Sequence, residues 1–438
     1  MQRSVTKPSV TRLLAVASAA AICALTACSS GGSTSSSGSP ASSGASTSGA
    51  SASTGSSGAA ATGSPIAIGS IGSFSGPLGS NTSRMGEVIK AWASWTNAHG
   101  GVDGHPVQLT VVDDGGNATT AITAVRKLIT EDKVVAIVSD MSYPDVSWAP
   151  YAQQAGVPVI GGQTENAPFV TNPDFFSSAS GAAAESYAEM ALAKTNGTKV
   201  ATVYCAEAPV CKGVAQANQV LGKGIGTGVV YSGFVAAAAP DYTSTCQAID
   251  SSGAQSLVLG VASSTLISLV KTCQQQEIAP KMILGGVTGS QAVVSSPVMK
   301  DFLDADNVFP FFDDSTPATK AFQDAMTQYV PDLGDQRGPI PAYVWTAGQL
   351  FKAAVEAAKA PTVTPATVKT GLYALPAGTT LDGLAPPLTF TKGASRPTPV
   401  NCYFVWGNKG GQLYEPQGLK PSCAPMAVIQ AYNTSAYK

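Results

Sequence analysis

Cysteine and histidine are the residues through which this 438-residue chain could do covalent or metal chemistry, and it has eight of one and two of the other. Both histidines fall in or beside one turn, Ala98-His99-Gly100-Gly101-Val102-Asp103-Gly104-His105. A hydrolase needs a nucleophile within reach of a base, and the chain has no Gly-x-Ser-x-Gly elbow. A metal centre would need cysteines or histidines at short spacing, yet no Cys-x-x-Cys occurs and the histidines lie far from the cysteines. The run Gly222-Lys223-Gly224-Ile225-Gly226-Thr227-Gly228 lacks Gly-x-Gly-x-x-Gly spacing and reads as a helix-ending turn. Asp113 and Asp114 follow a strand end and precede a helix, where carboxylates cap free N–H groups more often than they hold metal. No catalytic residue, cofactor or resident metal is expected.

The first cysteines speak of export. Arg3, Lys7 and Arg12 precede an uncharged apolar stretch, Leu13 to Ala24, that is too short to cross a membrane as a helix. Leu25-Thr26-Ala27-Cys28 follows and resembles the bacterial lipobox, whose cysteine is acylated and becomes the first residue of the mature chain. Residues 1–27 are thus expected to be a signal peptide and Cys28 a lipid anchor. Residues 29–64 contain only Ser, Gly, Ala, Thr and Pro. Such a segment buries too little apolar surface to offset its ordering entropy and is expected to stay disordered, with a reach of roughly 30–36 Å. In an oxidising compartment, Cys205, Cys211, Cys246, Cys273, Cys402 and Cys423 should form three disulfides. Many pairings are open on paper; nearest neighbours, Cys205–Cys211, Cys246–Cys273 and Cys402–Cys423, are the expectation. With 27 acidic and 25 basic residues and no basic patch, nucleic acid is not an expected partner.

The elements that would position these groups begin at Ile66. Val- and Ile-rich runs predict strands at Ile66–Ile71, Val107–Asp113, Val134–Ser139, Val157–Gly161, Lys199–Tyr204, Val229–Val235, Ser256–Gly260 and Lys281–Gly286. Their weak alternation suits strands buried on both faces of a parallel sheet. Between them, Thr82–Asn97 carries Met85, Val88, Ile89, Trp92 and Trp95 at helical spacing, and Asn117–Asp132 carries Ile122, Val125, Leu128 and Ile129. The α/β pattern occurs twice, over roughly 66–175 and 198–310. A helix around Trp345–Lys359 and a hairpin over Val400–Tyr414, turning at Asn408-Lys409-Gly410-Gly411, complete it. The reading is α/β, with two doubly wound, Rossmann-like lobes and a cleft between them.

Several motifs in order carry a resemblance. They are Gly72-Ser73-Phe74-Ser75-Gly76-Pro77-Leu78-Gly79, Asn97-Ala98-His99-Gly100-Gly101-Val102-Asp103-Gly104 and Val112-Asp113-Asp114. Lys127-Leu128-Ile129, Val134-Val135-Ala136-Ile137-Val138 and Ala155-Gly156-Val157-Pro158-Val159-Ile160 follow. Together they resemble the type I periplasmic solute-binding proteins of the leucine/isoleucine/valine-binding family, which serve ABC importers. The resemblance implies a periplasmic-binding-protein-like fold with a three-crossing hinge, near Phe176–Gly181, Val308–Phe311 and Pro387–Phe390. One lobe would be 65–176 plus 311–387 and the other 177–310 plus 388–438. It also implies a monomer, held outside the cell membrane by the lipid anchor that the lipobox predicts at Cys28, that hands a small solute to a membrane permease.

In open α/β sheets ligands sit beyond the carboxyl ends of strands, here the loops after Ile71, Ser139, Ile160, Tyr204, Gly260 and Gly286. Those loops nominate Phe74, Met141, Ser142, Tyr143, Gln163, Thr164 and Glu207 as ligand contacts. The resemblance makes Ser142 a hydroxyl donor to a ligand carboxylate and Tyr143 an aromatic wall. Where the amino-acid binders hold the ligand ammonium with acids, this chain is expected to have Ala182–Ala184 and Val287-Thr288. An ammonium buried there would be unpartnered, which casts doubt on an α-amino acid ligand; Glu207, on the loop closed by Cys205 and Cys211, could substitute. Ser263, Ser264 and Thr265 are further polar candidates. The expected solute is a small polar metabolite: an amino acid, an amide or a small organic acid. A sensor that reports solute to a membrane receptor or kinase would look the same in sequence, and an exported hydrolase is the weaker third reading.

Overall fold

The computed structural model describes residues 61–437 apart from Pro77, Leu78, Ser80, Pro240 and Val287. The expected leader, the expected anchor at Cys28 and all but the last residues of the expected linker lie outside the described residues. The first sheet is built from β1 (Ile66–Gly72), α1 (Met85–Ala98), β2 (Val107–Asp113), α2 (Ala118–Thr130), β3 (Ile137–Asp140), α3 (Ala149–Gln154), β4 (Val159–Gly162), α4 (Pro168–Thr171) and β5 (Phe175–Phe176). Its strands run parallel in the order β2-β1-β3-β4-β5. β3 and β4 are buried along their whole length, which is why their sequences show no alternation.

The chain then enters a second unit of the same kind: α5 (Ala182–Lys194), β6 (Lys199–Cys205), α6 (Pro209–Gly224), β7 (Gly228–Val235), α7 (Thr243–Ser251), β8 (Ser256–Gly260), α8 (Ser263–Gln275), β9 (Lys281–Gly285), α9 (Gln291–Val294) and β10 (Asp301–Asp306). These strands too are mutually parallel. Helices α10 (Pro317–Tyr329), α11 (Pro339–Ala358) and α12 (Pro365–Ala374) follow. α10 and α11 pack on α1, and α11 also covers β3 and β4. Finally β11 (Cys402–Lys409), β12 (Gln412–Tyr414), β13 (Ser422–Cys423) and α13 (Met426–Ala436) join the second lobe. β11 lies antiparallel to β10, so the second sheet reads β12-β11-β10-β9-β8-β6-β7. The fold is a two-lobed α/β architecture with one largely parallel sheet in each lobe.

All eight expected strands form, Val107–Asp113 and Ser256–Gly260 with the expected ends and the others with ends shifted by one to three residues. In α1, Met85, Val88, Ile89 and Trp92 make the buried stripe, while Trp95 is half-buried and stacks on exposed His99 with ring centroids 4.0 Å apart. Three features depart from the sequence reading. α11 starts at Pro339, a full turn and more before Trp345, because a proline after Gly338 suits the first helical position. Asn117, rather than the Asp113–Asp114 pair, caps α2, its Oδ1 accepting from the N–H groups of Thr119 and Thr120. β10, with its sequence Asp301-Phe302-Leu303-Asp304-Ala305-Asp306, was not expected as a strand, since three carboxylates in six residues argue for solvent. It is nonetheless a central strand, and Asp304 and Asp306 are fully buried.

Three disulfides form between nearest neighbours. Cys205–Cys211 ties the end of β6 to the first turn of α6, Cys246–Cys273 joins α7 to α8, and Cys402–Cys423 joins β11 to β13. No helix among the described residues is long and apolar enough to cross a membrane.

Candidate functional site

On the first lobe, the loops after β1, β2 and β3 are knotted together by Asp114. Its carboxylate accepts from Ser73 Oγ at 2.7 Å, Ser142 Oγ at 2.5 Å and the N–H of Gly116 at 2.7 Å. The Ser142 oxygen in turn accepts from Trp148 Nε1 at 3.1 Å, and its backbone N–H donates to Asp140 Oδ1. Asp113 Oδ1 takes the N–H groups of Phe74, Ser75 and Gly115. Burial pushes the Asp140 carboxyl well above the usual range, helped by the negative charge of Asp145, whose own value burial raises to about 8. β4 closes against the same knot. Gly162 at φ 122° lies so near Asp140 that a Cβ there would fall 2.0 Å from the Asp140 carbonyl oxygen. That approach lets the chain turn at once into Gln163.

Above this knot a cavity of about 150 Å³ opens between the lobes. The first lobe supplies a polar wall of Asn81, Tyr143, Gln163, Glu165 and Asn166. From the second come the ends of β6, β7, β8 and β9, with Tyr204, the Cys205–Cys211 disulfide, Val235, Val261 and Gly285. Val210 and Val214 of α6 extend the apolar side. Every strand involved presents its carboxyl end, the place where open α/β sheets bind ligands. Glu207 stands at the rim, and its Oε1 accepts the N–H of Ala237 at 2.7 Å, joining the loops after β6 and β7.

Beneath the cavity the lobes meet through carboxyl groups. Asn307, just after β10, donates from Nδ2 to Glu165 Oε1 at 2.7 Å and to Glu185 Oε2 at 3.1 Å. Tyr343 on α11 donates to Glu165 at 2.8 Å. One turn beyond Glu185, Glu189 accepts from Tyr204 OH at 2.8 Å, and that hydroxyl accepts from Asn218 Nδ2. Asp306 accepts from Trp406 Nε1, while the Asp304 carboxyl has no hydrogen-bond partner among the described residues. No ion pair among the described residues involves any of these five acids. Burial therefore favours their neutral forms: Glu165 is raised, Glu185 and Asp304 well above the carboxylate range, Glu189 to about 7 and Asp306 to about 8. Negative neighbours add to the effect at Glu185 and Asp304.

Comparison with known proteins identifies the arrangement. A family model described as periplasmic binding protein matches residues 65–412. The chain belongs to the periplasmic binding protein family. Solved structures share the fold. A branched-chain amino acid ABC transporter protein from Thermus thermophilus, with bound valine, has a TM-score of 0.73 and 16% identity, covering 84% of this chain and 98% of its own. A leucine-binding protein from Thermotoga maritima MSB8 has a TM-score of 0.63 and 15% identity, covering 80% and 97%. An ABC transporter solute-binding protein from Rhodopseudomonas palustris HaA2, in complex with p-hydroxybenzoic acid, has a TM-score of 0.63 and 18% identity, covering 83% and 98%. At such identities the likeness speaks for the fold alone. No curated protein matches by sequence. The family is one of extracytoplasmic solute-binding proteins.

In this periplasmic binding protein, Tyr143, Gln163 and Glu207 are brought to the cavity wall. The other nominated contacts are not. Ser142 is fully buried with its hydroxyl turned inward to Asp114, and Met141 sits in the core. Thr164 is buried and donates to the Ser180 carbonyl, and the Phe74 ring lies over Gly72. Of the lower-ranked candidates, Thr265 reaches the wall, whereas the Ser263 hydroxyl pairs with that of Ser290. The expectation that the second lobe lacks an acid near the first crossing is overturned. Ala182–Ala184 open α5, and Glu185, the next residue, lines the cavity at 7% exposure. A lone acid in the first turn of an alanine-rich helix reads in sequence as a partner for the helix dipole. Glu165 and Asn307 were missed as well; both stand on connections, and only the hinge brings them together.

Proposed function

We propose that this chain is the extracytoplasmic solute-binding lipoprotein of an ABC importer, anchored through Cys28 and tethered by residues 29–64. It captures one small metabolite, of the size of an amino acid, an amide or a small organic acid, and presents it to a membrane permease. The lobes we propose are 65–176 plus 311–387 and 177–310 plus 388–438, with no catalytic step between capture and release. The observation that carries this reading is the cavity shared by both lobes at the carboxyl ends of their strands, polar on one wall and apolar on the other. Its volume matches an engineered core cavity that holds one benzene, which sets the scale of the solute's apolar part.

A thermal-shift screen of amino acids, amides, short acids, amines and sugars, followed by calorimetry of the hits, tests this reading. At a ligand concentration one hundred times Kd, stabilisation should reach about 2.7 kcal/mol. A screen in which no solute raises the melting temperature would remove the solute-capture reading. Tyr143→Ala should weaken any hit without unfolding the protein. The anchor is tested separately: Cys28→Ser should release the protein from membranes, and continued membrane retention would reject lipidation.

A further inference from the structure

The side chains of the cleft that can take up charge are all acids. Glu165, Glu185 and Glu207 line it, and no lysine, arginine or histidine does among the described residues. We propose that the solute is a small organic cation, an amine with a compact apolar body and no carboxylate of its own, whose charged head sits between Glu165 and Glu185. This rests on the reading of the cleft as the solute site and adds the chemistry that the solute must have.

The geometry at the floor of the cleft carries the argument. Asn307 Nδ2 donates to one oxygen of each acid, so carboxyls from opposite lobes converge on a single atom. Glu165 Oε2 and Glu185 Oε1 accept no hydrogen bond from any other described residue. An ammonium offers three donors and no acceptor, the complement of two free carboxylate oxygens. The other ionisable groups packed against the pair are Glu189 on α5, Tyr204 on β6, Asp304 and Asp306 on β10 and Tyr343 on α11. None is a cation, so a positive ligand would be the only counter-charge present. Burial raises both carboxyls above their ordinary range, so the entry of a cation should displace protons to solvent.

An anionic ligand meets the opposite situation. The one hydroxyl that the family resemblance assigns to a ligand carboxylate, that of Ser142, already donates to Asp114. Asp140 and Asp145 are buried behind it. A carboxylate in this cleft would have no cationic partner and would face carboxyl groups on both walls. Meanwhile Val210, Val214, Val235 and Val261 form an apolar side suited to an uncharged hydrocarbon group.

Calorimetry on the full-length chain can separate the possibilities with probes that share one hydrocarbon group. These are 3-methylbutylamine, leucine, 4-methylpentanoate and 4-methylpentanamide, together with butylamine, cyclohexylamine and phenethylamine as other amine bodies. The expected result is that at least one amine binds tenfold or more tightly than leucine, the acid and the amide. Its binding enthalpy should change with the ionisation enthalpy of the buffer, which reports proton release. Glu185→Gln should lower that affinity at least tenfold; Glu165→Gln gives the same reading if the first variant does not fold. Tighter binding of leucine, the acid or the amide would overturn the cation proposal and leave solute capture standing. Failure of every amine would also overturn it, and failure of every probe and of the wider screen would take the solute-capture reading with it.

Discussion

Ser142 Oγ lies 2.5 Å from Asp114 Oδ2, both side chains being buried. The hydroxyl points into the lobe and belongs to the scaffold beneath the cleft. Ser142→Ala would remove one donor from a buried carboxylate and the acceptor for Trp148 Nε1. The expected loss is about 1–3 kcal/mol in denaturant unfolding, with solute affinity changed less than about twofold. A large affinity loss with unchanged stability would return Ser142 to the ligand.

The buried acids set how stability depends on pH. Asp145 and Asp306 are raised to about 8 and Glu189 to about 7, against usual carboxylate values near 4. Between those limits the folded protein binds more protons than the unfolded chain, so stability falls as pH rises. The ligand-free protein should therefore melt at a higher temperature at pH 5 than at pH 8.5. Asp306→Asn, which keeps an acceptor for Trp406, should flatten the profile between pH 6 and 8. A melting temperature that rises over this range would contradict the neutral-acid assignment.

The disulfides should separate stability from affinity. Cys246 and Cys273 are buried between α7 and α8, away from the cavity, and close the longer loop. Their replacement by alanine should cost about 3.5 kcal/mol on loop entropy alone and leave affinity unchanged. Cys205–Cys211 closes a short loop, for which the same argument gives about 2 kcal/mol. That bridge lines the cavity and holds Glu207 and Val210 in place, so its removal should also weaken binding several-fold. Equal effects on binding from the two pairs would show that the bridge is not part of the wall.

Gly286 tests whether Glu185 must sit where it does. The residue has φ 56°, and a Cβ would fall 2.7 Å from Glu185 Oε1. Gly378, at φ 79°, has nothing within 4 Å. Both changes to alanine should cost about 1–2 kcal/mol of backbone strain. Only Gly286→Ala should also displace the carboxyl, with an affinity loss of tenfold or more in calorimetry. Equal affinity in the two variants would separate Glu185 from the solute.

Much of the scaffold was legible because its signals are local. The strands of both lobes announce themselves as Val/Ile runs, and α1 by its apolar spacing at Met85, Val88, Ile89 and Trp92. Nearest-neighbour cysteines lie within one loop or on adjacent helices, so chain distance stood in for spatial distance. β10 was not legible, because Asp301, Asp304 and Asp306 carry the composition of a solvated loop. Burial between β9 and β11 overrides that composition, raising the Asp304 and Asp306 carboxyls above the ordinary carboxylate range.

Residue types and order alone determined the two-lobed α/β class and the strand ends at which a ligand should lie, since each depends on near neighbours or on strand polarity. The cysteine pairing was an expectation that the structure decided. Tertiary structure decided which side chains face that space. Ser142 and Thr164 have the right loops but the wrong direction, because a hydroxyl turns toward whichever buried acceptor is nearest. Glu165 and Glu185 come from different lobes and acquire a common environment only when Asn307 at the crossing bridges them. The upward shift of their carboxyls follows from burial in a site without a cation, which depends on every element that packs around it rather than on any stretch of chain.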